Sequence, residues 1–168
     1  WTFLAGLRQE KFNQEVKTFY YFDPGKPTSL AGLKNNDLLP TYSLTWKPNE
    51  ALRGRLAFSE TLSRPDAREL STVAFIDDES GYETFGNSEL KTTLIKNLDH
   101  RWEYYFTSEE FLSTGVFLKQ FTNPVEEIFE PGPNLRKTFA NATSATNMGL
   151  ELEGRIGLRR LDRLMRRF

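Results

Sequence analysis

Cysteine is absent from this 168-residue chain, which excludes a disulfide framework and any cysteine-ligated metal. Histidine occurs once, at position 100. A catalytic imidazole needs a partnered base and a metal centre needs several ligands, so His100 is read as an interfacial aromatic on the apolar side of a strand. Neither sign of charge dominates, with 22 basic against 23 acidic residues, and nucleic acid therefore has no electrostatic claim on the chain. No apolar run approaches the roughly 18 residues of a membrane helix. The mean hydropathy of -0.55 suits a soluble protein, but such an average is blind to a membrane barrel, whose polar lumen positions cancel its lipid-facing ones. Walker-type glycine loops, nucleophile elbows and zinc spacings are missing too, so the chain is read as no enzyme and as needing no cofactor or metal.

What the sequence has instead is alternation. Aromatic residues make up 14% of the chain, and many fall where apolar and polar residues take turns. Tyr42, Leu44 and Trp46 alternate with Thr41, Ser43 and Thr45; after a Lys-Pro-Asn-Glu turn, Leu52, Leu56 and Phe58 alternate with Arg53, Arg55 and Ser59. Leu98, His100, Trp102, Tyr104 and Phe106 share one side of a later stretch, with Asn97, Asp99, Arg101 and Glu103 on the other. Period two over such lengths predicts strands. Six are expected, at about 1–17, 39–47, 51–62, 93–106, 111–122 and 138–158, in one all-β domain over 1–168. Their connections run long, short, long, short, long. The Pro- and Gly-rich stretch 23–37 is expected to be a loop, and 63–92 and 122–137 to be long connections. Antiparallel up-and-down strands with that rhythm suit part of a large transmembrane β-barrel, and charge on mid-strand polar faces suits a wet or plugged lumen. A soluble all-β ligand- or glycan-binding module remains open on the pattern alone.

The run LRGRLAFSETLSRPDAREL at 52–70 resembles a stretch of TonB-dependent outer-membrane receptors in which a barrel strand leads into an "RP...EL" loop. FGNSELKTT at 85–93 is similar to the family's "GNP.LKP", with Ser88 and Thr92 in place of prolines. NLDHRWEYYF at 97–106, VFLKQFTNPVEEIF at 116–129 and TFANATSATNMGLELEGRIGL at 138–158 follow in family order, and GLRQEKF at 6–12 and LLPTYSLTWKP at 38–48 precede them. The resemblance implies a segment from the second half of a barrel of about 22 strands, in the outer membrane of a Gram-negative bacterium. It also implies partners: outer-membrane lipid, the plug domain of the same parent chain, the TonB energy-coupling complex, and a scarce solute such as a ferric siderophore, cobalamin or an oligosaccharide. The plug, the TonB box and the closing strands are expected to lie outside residues 1–168. The start at Trp1 rather than Met likewise reads as a processed product or an excised segment.

Several residue groups are candidates for roles. Arg64, Asp66, Arg68 and Glu69 in the loop after the third strand can grip a solute's carboxylates or brace one another; Tyr82 and Phe85 can stack on a ring or pack the loop. Arg53, Arg55, Arg101, Glu103, Glu151, Glu153 and Arg155 are expected to face the lumen and to pair as charge ladders between strands, and the resemblance turns that face toward the plug. Asp77, Asp78, Glu79 and Glu83 offer oxygens to calcium but lack EF-hand spacing, and are read as a solvated acidic loop. The tail RRLDRLMRRF is read as a periplasmic connection in preference to a basic lipid-binding helix.

Overall fold

Alternating side chains can be satisfied only where the two faces of a strand meet different surroundings. The chain forms ten strands and one helical turn in a computed structural model that describes residues 1–19, 25, 28–76, 81–131 and 135–157. They are β1 (Thr2–Thr18), β2 (Ser29–Trp46), β3 (Leu52–Ser63), α1 (Ala67–Leu70), β4 (Ala74–Ile76), β5 (Glu83–Phe85), β6 (Thr93–Tyr105), β7 (Phe111–Thr122), β8 (Val125–Glu130), β9 (Arg136–Asn141) and β10 (Ser144–Arg155). The long strands make one antiparallel sheet in the order β1-β2-β3-β6-β7-β10. These are the six expected strands. The short ones form a second sheet, β4-β5-β9-β8, in which β5 and β9 run parallel.

Three expectations need correction. Residues 29–37 are not loop: β2 begins at Ser29 and pairs with β1 throughout. The period-two signal persists there, with Ala31 and Leu33 buried and Gly32 and Lys34 exposed. Pro40 is tolerated because β2 pairs with β3 only from Thr41 onward, so on that side the proline has no ladder bond to lose. The stretch 138–158 is not one strand but β9 and β10, broken at 142–143. The connections 63–92 and 122–137 are not structureless; between them they supply α1, β4, β5, β8 and the start of β9.

The six-stranded sheet is inverted relative to a soluble one. One face carries Phe3, Leu7, Tyr42, Leu56, Leu98, Leu112, Val116, Met148, Leu150 and Leu152, all exposed; Met148 is 71% and Leu152 73% accessible. No described element covers them, which removes the sandwich reading. The opposite face is polar, yet Glu103 is only 6% accessible and Ser113 3%. Along each strand the apolar face ends at a polar residue: Gln9, Asn36, Glu60, Lys96, Gln120 and Thr146. Between Phe106 and Lys96 the strand rises roughly 33 Å, or about 25 Å across a membrane once tilted like a barrel strand, which matches the apolar band of outer-membrane barrels.

Beyond that boundary the preferences of the two faces exchange. β1 and β2 continue as a two-stranded arm whose inner side, with Phe12, Val16, Ala31 and Leu33, turns apolar. It packs on Leu70, Phe75, Leu90, Val125 and Phe139 of the long connections. This small core sits at the end of the sheet opposite the short turns at 47–51 and 106–110.

Candidate functional site

Strand register places the charged side chains of the inner face in two rows. Arg53, Glu103, Ser113 and Glu153 are lateral neighbours across β3, β6, β7 and β10; Arg55, Arg101, Gly115 and Glu151 form the adjacent row. Glu103 is the hub. Its carboxylate lies 3.2 Å from Arg101 Nε, 3.5 Å from Arg53 Nη1 and 3.8 Å from Arg55 Nη2. The Tyr105 hydroxyl donates to it at 2.9 Å and accepts from Arg53 at 3.4 Å, with the Arg53 guanidinium 5.2 Å from the Tyr105 ring. Arg101 also donates to Glu153 at 2.6 Å. The buried Glu103 carboxylate is held by the partly exposed arginines around it, because a carboxylate buried alone would be strongly destabilising. Glu151 and Arg155 share the face but form no ion pair among the described residues; both are exposed on the edge strand β10. Tyr105 escaped notice in the sequence because its aromatic neighbours Tyr104 and Phe106 belong to the other face. Its spacing of two from Glu103, which puts both side chains on one face of the strand, was the available signal.

At the loop end the other candidates separate. Asp66 caps α1, accepting from the backbone N–H groups of Arg68 at 2.7 Å and Glu69 at 2.8 Å, while the Glu69 carboxylate accepts from the Asp66 N–H at 2.9 Å. This reciprocal capping box engages both carboxylates locally. Arg64 turns away to Glu10 at 2.9 Å and Asp37 at 3.3 Å, with its guanidinium 4.5 Å from the Phe12 ring. Arg68 lies over Phe75 at 4.8 Å. Tyr82 and Phe85 are on opposite faces of the small sheet: Tyr82 meets Phe129 and Lys137, and Phe85 meets Arg136. Phe85, Ile128, Arg136 and Thr138 border an open depression of about 610 Å³ together with Asn87 and Glu130. Glu83 pairs with Arg136 at 3.0 Å; Asp77, Asp78 and Glu79, like the tail from Arg159, lie outside the described residues. Among the described residues no group of acidic or histidine side chains has the geometry of a metal site. His100 lies on the apolar face, 5.5 Å from the Trp102 ring, in a row of rings that continues through Trp46 to Trp1.

The motifs in the long connections are held by close backbone approach at Gly86 and by side chain-to-backbone hydrogen bonds of Asn87 and Asn141. A Cβ on Gly86 would collide with the carbonyl oxygens of Ser71, Arg68 and Glu69, so only glycine lets β5 run onto the end of α1. Asn87 donates to the Phe139 carbonyl at 2.9 Å. Asn141 accepts from the Lys91 N–H at 2.7 Å and donates to the carbonyls of Lys91 at 3.1 Å and Asn123 at 2.7 Å. Asn123 itself has a φ of 55°, a left-handed turn that asparagine tolerates better than most residues.

A family profile described as TonB dependent receptor-like, beta-barrel, matches residues 1–165. The chain belongs to this family. Its sheet is therefore a stretch of an up-and-down transmembrane barrel wall, and the resemblance in the sequence motifs holds over nearly the whole chain. Solved receptors share the fold at low identity. The siderophore receptor PirA from Pseudomonas aeruginosa is 14% identical with a TM-score of 0.63, over 78% of this chain and 28% of that one. The Serratia marcescens hemophore receptor HasR, in complex with its hemophore HasA and heme, is 12% identical with a TM-score of 0.61, over 90% and 27%. The ferric enterobactin receptor PfeA from Pseudomonas aeruginosa, as a G324V mutant, is 13% identical with a TM-score of 0.57, over 93% and 24%. The chain thus spans about a quarter of the length of these TonB-dependent receptors. No curated protein matched by sequence.

Proposed function

We propose that these residues are part of the wall of a TonB-dependent outer-membrane receptor that takes up a scarce solute, in a Gram-negative bacterium. The observation that carries this reading is the inverted sheet: apolar side chains bare on one face, ionised side chains crowded and half-buried on the other. A soluble module would reverse that arrangement. In the full receptor, the exposed face meets lipid, the Glu103 cluster lines the interior against the plug, and the small sheet stands above the outer leaflet where the solute arrives. Energy delivered through TonB then moves the plug and opens the interior.

The solute is read as an iron chelate such as a ferric siderophore, or heme. Support comes from the structural neighbours, described as siderophore, enterobactin and hemophore receptors; cobalamin and oligosaccharides are the alternatives within the same mechanism. Arg68, Tyr82 and Phe85, which make ring contacts at the loop end, are the candidates for solute contact, while Arg64, Asp66 and Glu69 brace the loop through ion pairs and the capping box. Growth of a strain with the parent gene deleted, on single iron sources, tests this. Loss of growth on one chelate, restored by the intact gene, is expected. Unchanged growth on every iron source, with loss of cobalamin or glycan uptake, would replace the solute class, and a parent protein found in the soluble fraction would overturn the receptor reading.

A further inference from the structure

The small sheet buries one face and bares the other. Phe75 and Phe139 on the first face pack in the small core, and Thr84 beside them is 2% accessible. The second face borders the open depression of about 610 Å³, a volume usual for small-ligand sites. Strand register orders the side chains there. Phe85, Thr138 and Ile128 are lateral neighbours across β5, β9 and β8, and Glu83, Arg136 and Glu130 form the next row. The first row is a mostly apolar floor. The second is a polar rail along one side of it, and residues 86–89 supply the rail along the other. That second rail is fixed in place, by the close approach of Gly86 to α1 and by the bond from Asn87 to the Phe139 carbonyl.

The trough holds hydrogen-bonding groups that the chain itself does not use. Thr72 Oγ1 lies at its wall, buried and without a partner. The hydroxyls of Ser88 and Thr138 have no partner among the described residues, and Glu89 and Glu130 form no ion pair among them. Arg136 is held from two sides, with Nε 3.0 Å from Glu83 and its guanidinium 5.2 Å from the Phe85 ring. Its terminal nitrogens meet no other carboxylate among the described residues. Glu83, Glu89 and Glu130 outnumber this one guanidinium, so a polyanion is repelled. A buried hydroxyl left unpaired costs stability until something bonds to it. A suitable ligand is therefore uncharged, apolar on one face and rich in hydroxyls at its edges. A pyranose ring has that form: its C–H face packs on Phe85 and Ile128, and its edge hydroxyls meet the two rails.

We propose that this trough is a binding site for a neutral saccharide, with Phe85 and Ile128 as its floor, Arg136 and Glu130 on one rail, and Thr72 and Ser88 on the other. Phe85 then belongs to the saccharide, and Arg68 and Tyr82 remain for the solute that the barrel carries. The position of the trough outside the membrane rests on the proposed function; its chemistry does not.

Saturation-transfer NMR of the full-length receptor, in a detergent without a sugar headgroup, tests the site with maltohexaose, cellohexaose, mannohexaose and purified lipopolysaccharide. At least one hexasaccharide is expected to bind the wild type. Phe85→Ala should weaken it about tenfold and Ser88→Ala about threefold. Ser88→Ala removes a hydroxyl and no packing, so its effect does not depend on the sheet surviving the loss of Phe85. Glu127→Gln, on the opposite face, should change nothing. Binding by none of the three hexasaccharides, or only by lipopolysaccharide, would overturn the neutral-saccharide site, as would hexasaccharide binding that Ser88→Ala leaves at wild-type strength. Each of these failures leaves the receptor reading intact, and growth tests that replace the solute leave the saccharide titration intact.

Discussion

Arg101 reaches Glu153 across a strand that offers it no obstacle. Its guanidinium lies 2.6 Å from the Glu153 carboxylate, although β7 runs between them. The intervening residue beside Arg101 is Gly115, whose lateral neighbour on β10 is Glu151. With no side chain at 115, the long arginine crosses to the next row diagonally. A Cβ at 115 would meet only the His100 carbonyl and the Glu151 side chain, at ordinary distances, so it takes a larger side chain there to test the crossing.

Filling that gap is expected to have the same effect as deleting the ion pair. Gly115→Leu and Glu153→Gln should each lower unfolding stability by about 0.5–1 kcal/mol, the scale of a partly exposed charge pair. Together they should lose little more than either alone, because both remove one interaction. A double-mutant cycle on the refolded receptor in lipid measures this; full additivity would mean that Gly115 acts independently of Glu153.

Glu103 has a larger effect. Three arginines converge on one buried carboxylate, so Glu103→Ala leaves three positive groups with mutual repulsion and only Tyr105 and Glu153 nearby. A loss of about 2–3 kcal/mol is expected, below that of a fully buried pair because the arginines remain partly wet. Glu103→Gln should recover part of it through the Tyr105 hydroxyl. The temperature at which the folded barrel shifts to its unfolded mobility on a gel reads out both variants.

The six long strands were legible in the sequence because period two is a local signal and each was twelve residues or longer in the structure. So was the division of faces: Arg53, Arg55, Arg101 and Glu103 fall on one side by counting alone. Which charges meet was not legible, since Arg101 finds Glu153 through the lateral register of three strands. The small sheet was invisible for a related reason. β4 and β5 have three residues each, and Phe85 meets Thr138 only through a parallel pairing far along the chain. The β2 half of the arm reads as loop in the sequence, while its β1 half reads as strand, because Gly32, Lys34 and Asn36 on its outer side imitate turn composition once the membrane no longer demands apolar residues there.

The apolar face should show a depth dependence. Leu98→Arg and Val116→Arg lie well inside the band and are expected to cost about 2–4 kcal/mol in a bilayer. Leu30→Arg, on the same face of the arm beyond Asn36, should cost almost nothing. Unfolding in lipid vesicles compares the three. Equal costs at all three sites would place Leu30 in hydrocarbon and move the boundary.

Gly86→Ala is expected to loosen the loop end without touching the wall. The added methyl would meet three carbonyl oxygens at the end of α1, so β5 must shift, and with it the contacts of Asn87 and the buried Leu90. Limited proteolysis of the intact receptor should cut faster within 64–92, while the unfolding temperature of the barrel stays unchanged. A protease pattern identical to wild type would mean that α1 yields instead.

Arg64 holds the arm to the loop, and its removal exposes a conflict built into the ladder. Glu10 and Asp37 face each other directly across β1 and β2, an arrangement that is destabilising for like charges. Arg64 neutralises both from the connection after β3, and Arg8 reaches only Glu10, at 2.9 Å. Arg64→Met keeps the stem over Phe12 but leaves the two carboxylates opposed. Hydrogen exchange should then accelerate across 10–18 and 29–37 while the lower part of β1 and β2 remains protected. Adding Asp37→Asn should restore the protection, since one carboxylate left with Arg8 has no opponent. If the double variant exchanges as fast as Arg64→Met, the arm is held by the hydrogen-bonding geometry of the guanidinium and not by the balance of charge.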